Sequence, residues 1–287
     1  MTEPGRGRAV LVTGAARGGG LRTCRALAER GFRVYAGVRG TPGEVGEVPG
    51  VRVVRLDVAD GASVRAAVDA VRADGTTELH GLVNNAGIIV QGPLELVPDG
   101  ELRRQFEVNV FGPARVTRAF LPLLRAGRGR LVNVTAPTAR LPAPFLGALS
   151  ASKMSLQGLS DVWRAELAHW GISVVIVEPG AMRTEIFATA AASADKMLAE
   201  QPAEQVALYR AQLGALGAAT AKMKLHSPDQ LVDAVVRALT ERRPRARYTV
   251  GPDTRLLGLL ARLPLRTRDR LVLRVLGLAK VPPAVEA

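Results

Sequence analysis

Short apolar runs rich in β-branched residues alternate with longer amphipathic stretches along most of this 287-residue chain, and no other feature restricts its fold so strongly. Residues 9–12, 33–38, 51–56, 81–84, 130–135, 173–178 and 248–250 read as strands. Between them, 21–30, 63–74, 100–124, 150–170 and 230–240 read as helices. Strands that are apolar throughout, each followed by a helix, are buried on both faces, which argues for a parallel sheet in a doubly wound α/β fold. Ligands of such folds bind beyond the carboxyl ends of the strands, so the residues just after each strand carry the functional reading.

Two segments depart from the alternation. Residues 181–226 form an alanine-rich, mostly helical insertion after the sixth strand, long enough to close over a site as a lid. Residues 252–287 form a leucine- and arginine-rich tail. The expected organisation is one domain over 1–251, including that lid, extended by a basic helical tail. No internal repeat is present, and 42–49, with Gly43 and Gly46, reads as a surface loop.

Composition removes several classes. The single cysteine, Cys24, excludes an intrachain disulfide framework, and three scattered histidines without a second cysteine argue against a zinc site. No metal is expected. The polar first residues lack the apolar core of a signal peptide, and no uncharged run approaches the roughly 20 residues of a membrane span. A soluble, cytoplasmic protein is expected.

Directly after the first strand stands Thr13-Gly14-Ala15-Ala16-Arg17-Gly18-Gly19-Gly20-Leu21. Glycines there permit a tight turn and close backbone approach to a pyrophosphate, while the helix that follows offers unpaired N–H groups and its positive dipole end. The strand–turn–helix context is the one a Rossmann-type dinucleotide site requires.

The spacing of Gly14, Gly18 and Gly20 resembles the G-x-x-x-G-x-G motif of the short-chain dehydrogenase/reductase family. The resemblance runs over about residues 8–250 through separate motifs in the family's order. Asp57 in Leu56-Asp57-Val58 falls where the family contacts adenine. Asn84-Asn85-Ala86-Gly87 follows the fourth strand, and Asn109 lies in Asn109-Val110-Phe111-Gly112. Pro179-Gly180 with Thr184 follows the sixth strand, where relatives hold the nicotinamide end. The resemblance therefore implies a cofactor site of Gly14, Arg17, Gly18, Gly19, Gly20, Arg39, Asp57, Asn85, Ala86, Gly87, Lys153, Pro179, Gly180 and Thr184.

Charge selects the cofactor. A carboxylate at the end of the second strand would bind the adenosine ribose 2′-hydroxyl, but Val38 stands there, followed by Arg39. Arg39 and Arg17 instead suit a 2′-phosphate, to which guanidinium groups make charge-assisted bonds. NADP(H) is expected.

The family pattern breaks at the chemistry. Relatives carry a tyrosine four residues before a lysine and a serine about 13 residues earlier. Here Lys153 is present, but the tyrosine position is Leu149 and the serine position is Ala136. In the family the phenol handles the proton at the substrate oxygen and the serine fixes that oxygen, so ordinary alcohol–ketone interconversion should lose roughly the 10²–10⁴-fold of positioned acid–base catalysis. Asn109 and Lys153 remain as catalytic candidates. Thr138, two positions beyond Ala136, is the candidate substitute hydroxyl, whereas Thr135 should point away. Of three tyrosines only Tyr209, in the lid, has a route to the pocket, and it reads chiefly as a lid anchor; His226 reads as a packing or capping residue.

Three functions fit these residues. The first is an NADP(H)-dependent reductase acting on an activated C=C, C=N or C=O. The second is a redox-silent cyclase, isomerase or dehydratase that uses the nucleotide structurally. The third is a non-catalytic, nucleotide-dependent binding protein.

The lid's Leu198, Leu208, Leu213, Leu216 and Met223, with Leu141 and Phe145, imply an apolar pocket and a hydrophobic small-molecule substrate. In this part the chain resembles the family branch acting on steroids and retinoids; a polyketide- or terpenoid-like metabolite of secondary metabolism fits equally. A homo-oligomer, dimer or tetramer, is expected. Of the net charge of +13, residues 242–287 carry +8. In the tail, Arg266, Arg270 and Arg274 recur every four residues beside an apolar stripe, a basic amphipathic pattern. Packing over the pocket or at a dimer interface is the favoured reading of that helix over membrane contact, because no lipidation signal is present. Nucleic acid is not expected, since no reading module is recognised.

Overall fold

The structure is a computed structural model that describes residues 7–223 and 225–282. The outermost ends of both expected ranges, 1–6 and 283–287, and Lys224 within the lid lie outside the described residues. Seven strands, β1 (Ala9–Thr13), β2 (Arg33–Val38), β3 (Val51–Arg55), β4 (Gly81–Asn84), β5 (Arg130–Val134), β6 (Ser173–Pro179) and β7 (Arg247–Val250), form one sheet in the order β3-β2-β1-β4-β5-β6-β7. Every neighbouring pair is parallel. This is the doubly wound sheet that the alternation predicts.

The strands are apolar throughout because the sheet is covered on both sides. Val10, Val12, Val83, Val132 and Val175 face one layer, packed against α1 (Gly18–Ala28) and α8 (Asp229–Thr240). Ala9, Leu11, Leu82, Leu131 and Val174 face the other, against α2 (Gly61–Ala73) and Phe120 and Leu124 further along the chain. Adjacent residues of one strand thus serve opposite cores. Order at the helix ends follows local chemistry, as where Asp60 accepts a hydrogen bond from the Ala62 amide, 2.8 Å, at the start of α2.

The sequence predicts one helix over 100–124, and the structure divides it. Helix α3 (Asp99–Phe106) passes into a wider π-helical turn, Glu107–Phe111, before α4 (Gly112–Ala126). Pro113 at the head of α4 has no N–H to give the Asn109 carbonyl, so the ordinary α register fails at that point. Helix α5 (Gly147–Leu167) begins three residues before its predicted start and ends in a short turn, Ala168–Trp170.

The insertion contains α6 (Glu185–Ala199) and α7 (Ala203–Ala221). Its two ends are stitched together: the His226 amide donates to Ala181 O at 2.9 Å, and the Arg183 amide donates to His226 O at 3.0 Å. The tail forms α9 (Pro252–Leu260) and α10 (Leu265–Val275). Among the described residues no helix is long and apolar enough to cross a membrane.

Candidate active site

The turn after β1 is shaped around one backbone requirement. Gly14 has φ +65°, and a Cβ there would lie 2.8 Å from Ala86 Cα, so only glycine lets β1 and the segment after β4 meet. Thr13 Oγ1 accepts the amides of Asn85 and Ala86 at 3.1 and 3.0 Å, and Asn85 Nδ2 donates to Thr13 O and Gly14 O at 3.0 and 3.2 Å. Gly19 and Gly20 continue into α1, whose N-cap, Arg17, supplies no side-chain acceptor. The first N–H groups of α1 therefore face outward, and a Cβ on Gly18 would meet nothing within 4 Å. This open, donor-rich cradle fits a pyrophosphate.

The other expected cofactor residues lie in this turn or at and just after the ends of neighbouring strands. Arg39 is exposed at the end of β2 and has no ion-pair partner among the described residues. Arg17, equally exposed, lies with its guanidinium 3.3 Å from Glu185 at the start of α6. Asp57 follows β3, where its Oδ1 accepts the Ala59 amide at 2.9 Å and its own amide donates to Ser63 Oγ. Pro179 ends β6; the Gly180 amide donates to Val250 O at 3.1 Å; Thr184 is the N-cap of α6.

A buried polar cluster stands beyond β4 and β5. Asn109, in the π-helical turn and fully buried, accepts the Ile88 amide at 2.9 Å through Oδ1 and donates to Ile88 O at 3.0 Å through Nδ2. Gln105, also fully buried, accepts the Val90 amide at 2.7 Å and donates to Ile88 O and Ser152 Oγ at 3.0 and 3.1 Å. Ser152 Oγ in turn donates to Leu149 O at 2.8 Å. Gln105 and Ser152 were not singled out in the sequence; the available signals were their places four residues before Asn109 and next to Lys153.

Lys153 projects from α5, and its Nζ donates to Val134 O at 2.8 Å. Burial pushes its ammonium down to about pKa 8, because the charged form loses its hydration. A Cβ placed on Gly87 would sit 3.3 Å from Asn109 Oδ1 and 3.6 Å from Lys153 Nζ, so these three residues converge. Leu149, one turn earlier on α5, is buried. Ala136 follows β5 as the N-cap of the short turn Pro137–Ala139, and within that turn Thr138 Oγ1 is buried without a hydrogen-bond partner among the described residues. Thr135 is turned to the sheet, its Oγ1 3.5 Å from Val177 O.

Two further residues hold the Thr138 turn. Arg140 forms a two-pronged pair with the fully buried Glu178, Nε to Oε1 at 2.8 Å and Nη2 to Oε2 at 2.5 Å, and α9 rests on that guanidinium at Gly258. Tyr209 hydrogen-bonds Glu95 and meets Phe145 edge-on with ring centres 6.4 Å apart, which anchors the lid as its sequence position implies. His226 Nε2 lies 2.9 Å from Asp253 Oδ1, tying the base of the lid to the start of α9. Among the described residues no group of three His, Cys, Asp or Glu side chains is placed to hold a metal.

A seven-stranded parallel sheet in this order, with an uncapped glycine turn at α1 and Asn109, Gly87 and Lys153 converging beyond β4 and β5, defines a dinucleotide-binding α/β protein. The chain belongs to the short-chain dehydrogenase family, whose model matches residues 8–196. It is 39% identical over 183 residues to a 3-amino-tetrahydro-pyrrolizinone reductase of Xenorhabdus hominickii, covering 63% of each chain. It is 35% identical to human 11-beta-hydroxysteroid dehydrogenase type 2, over 88% of this chain and 65% of that protein. The chain thus spans slightly less than two thirds of the length of these two relatives. With human retinol dehydrogenase 5 the identity is 36%, over 88% of this chain and 83% of the relative.

Solved structures agree. A short chain dehydrogenase from Burkholderia cenocepacia J2315 in complex with NADP superposes with a TM-score of 0.72 at 30% identity, covering 93% of this chain and 98% of that one. A Burkholderia phymatum member in complex with NAD gives 0.75 at 25% identity, covering 91% and 94%. The family cofactor is a nicotinamide dinucleotide, and the cradle around Gly14 and Gly18 fits it.

Proposed function

We propose that the protein is an NADP(H)-dependent reductase of a hydrophobic acceptor carrying an activated C=C, C=N or C=O, working without the hydroxyl pair of the family pattern. One observation carries the reading: the cofactor cradle and the Asn109–Lys153 cluster are intact, while the neighbouring position that should handle the proton is the buried, inert Leu149. When bound, the dinucleotide supplies a hydride. The accompanying proton resides on Lys153 Nζ, whose burial lowers its hold on that proton into the range where transfer at neutral pH is effective. Thr138 Oγ1, buried and unpaired, offers the substrate heteroatom the hydrogen bond that Ala136 lacks. Asn109 keeps the segment at Ile88 in place through two hydrogen bonds.

Leu149 is buried one turn before Lys153 and Leu141 is buried just after the Thr138 turn, and names of relatives that act on a pyrrolizinone, a hydroxysteroid and retinol support a hydrophobic substrate. Exposed Arg39 and Arg17, together with the NADP-bound neighbour, support NADP(H) over NAD(H). A homo-oligomeric state and a cytoplasmic site of action, drawing on the soluble cofactor pool, belong to the same reading.

The test is cofactor consumption. NADPH should be oxidised with conjugated enones or imines far faster than with simple ketones, and NADPH should bind more tightly than NADH. Turnover without net oxidation would replace this reading by a redox-silent isomerase or cyclase; tight nucleotide binding without any turnover would leave a binding protein. Installing both hydroxyls, Leu149→Tyr with Ala136→Ser, should raise simple-ketone reduction by about 10²-fold or more.

A further inference from the structure

From the tail we infer that the outer surface of α9 and α10 is a docking face for an anionic lipid membrane. The argument starts with what α10 fails to do. None of its eleven residues is buried, and it packs chiefly on the short turn that follows it, Leu278–Lys280. The sequence favours a helix laid over the pocket or against a second subunit; within the single chain none of its residues is buried.

At helical spacing Arg266, Arg270 and Arg274 fall on one side of α10 and Leu265 and Val275 towards the other, so the tail exposes a charged and an apolar side together. Leu256, Leu259, Leu265 and Val275 are exposed by 58%, 62%, 65% and 73%, a cost in water that only burial elsewhere offsets. Between them stand Arg255, Arg262, Arg266, Arg270 and Arg274, all exposed and none with an ion-pair partner among the described residues. The two carboxylates of these helices are already engaged, Asp269 with Arg268 and Asp253 beside His226. The surface is therefore apolar and uncompensated in positive charge at once.

Charge decides the occupant. A second copy of this chain would cover the apolar side of these helices but bring their arginines no free carboxylate, since Asp253 and Asp269 are engaged in each copy. Nucleic acid would answer the arginines and leave the leucines in contact with phosphate and water. An anionic bilayer satisfies both sets, with headgroup phosphates taking the guanidiniums and the acyl boundary taking the leucines. The short helices lie in the interface plane rather than across it, consistent with their length. Docking also brings the lid to the lipid, since a Cβ placed on Gly277, just after α10, would lie 3.9 Å from Ala215 O of α7.

Vesicle flotation tests the inference independently of any enzymatic activity. The full chain should float with vesicles of phosphatidylcholine and phosphatidylglycerol and stay at the bottom with phosphatidylcholine alone. Arg266→Glu, Arg270→Glu and Arg274→Glu together should weaken binding by more than about a hundredfold, since loss of three basic residues at ~1 kcal/mol each near an anionic surface gives that much before the added repulsion. NADPH binding and the melting temperature should not change. Leu259→Ser with Val275→Ser should bind at low salt and release as salt rises. Failure of the wild type to float, or equal flotation with the neutral vesicles, would overturn the inference. So would equal flotation of the charge-reversed protein, its conversion from oligomer to monomer in light scattering, or displacement from anionic vesicles by duplex DNA at equal phosphate concentration.

Discussion

Strands β1, β4, β5 and β6 bury all but their end residues, whereas the nineteen residues of α7 and the eleven of α10 include none that is buried. Both regions carry apolar side chains. In the sheet each apolar side chain meets an opposing layer, so the geometry of the cofactor cradle above it is fixed before any ligand arrives. In α7 and α10 the apolar side chains are left partly or fully exposed, and in the reading proposed above substrate and a lipid surface supply the missing layer. On that reading one chain holds a finished cofactor half and a substrate half that its ligands complete.

The largest expected effect tests that contrast directly. Leu82, fully buried in β4, should cost about 2–5 kcal/mol when replaced by alanine. Leu216, on α7 and only partly buried, should cost less than about 1 kcal/mol for the same change. Chemical denaturation of the two variants measures both. Equal losses would mean that the lid folds as part of the central core, and the contrast would fall.

Lys153 gives the next effect, on stability against pH. Burial lowers its pKa from 10.5 to about 8, so between these values the folded protein has released a proton that the unfolded chain still holds. Stability rises with pH wherever the unfolded state binds more protons, so this residue destabilises the fold below pH 8 and stops doing so above about 10.5. The full swing is about 3 kcal/mol. Lys153→Met should remove it, seen as a flatter dependence of unfolding free energy on pH in the variant than in the wild type across that window. An unchanged slope would show that the site is open enough to hydrate the ammonium, and that the cofactor half is less finished than its packing implies.

The same contrast explains what could be read from the sequence. The strands were legible because continuous β-branched runs have one stable use, and the glycine turn because Gly14 alone tolerates φ +65° against Ala86. The break at the π-helical turn was not, since 100–124 keeps its helical periodicity across Pro113 and the register shift depends on one missing N–H. Gln105 and Ser152 were hidden because an amide or hydroxyl on a helix acquires meaning only when tertiary packing brings it to Ile88 and Leu149. Arg140 and Glu178, 38 residues apart, belong to that class too. In the tail, spacing showed a basic amphipathic helix but not which of its faces would be left uncovered, because that depends on the elements it packs beside.

The smallest expected effect lies where the two halves touch. Arg17, in the glycine turn, and Glu185, at the head of the lid, pair at 3.3 Å with side chains 67% and 71% exposed. Such a pair contributes about 0–1 kcal/mol, so Glu185→Gln should leave the melting temperature nearly unchanged. Arg17 is also one of the two arginines proposed for the 2′-phosphate, and one guanidinium cannot serve both partners fully. Removing the carboxylate should therefore tighten NADPH binding by a factor of about five at most, the equivalent of ~1 kcal/mol, and leave NADH binding as it was. Equal tightening of both cofactors would show that Arg17 does not read the 2′-phosphate. No change in either would show that the lid and the cofactor cradle do not compete for this side chain, and that the finished half is insulated from the half that closes over it.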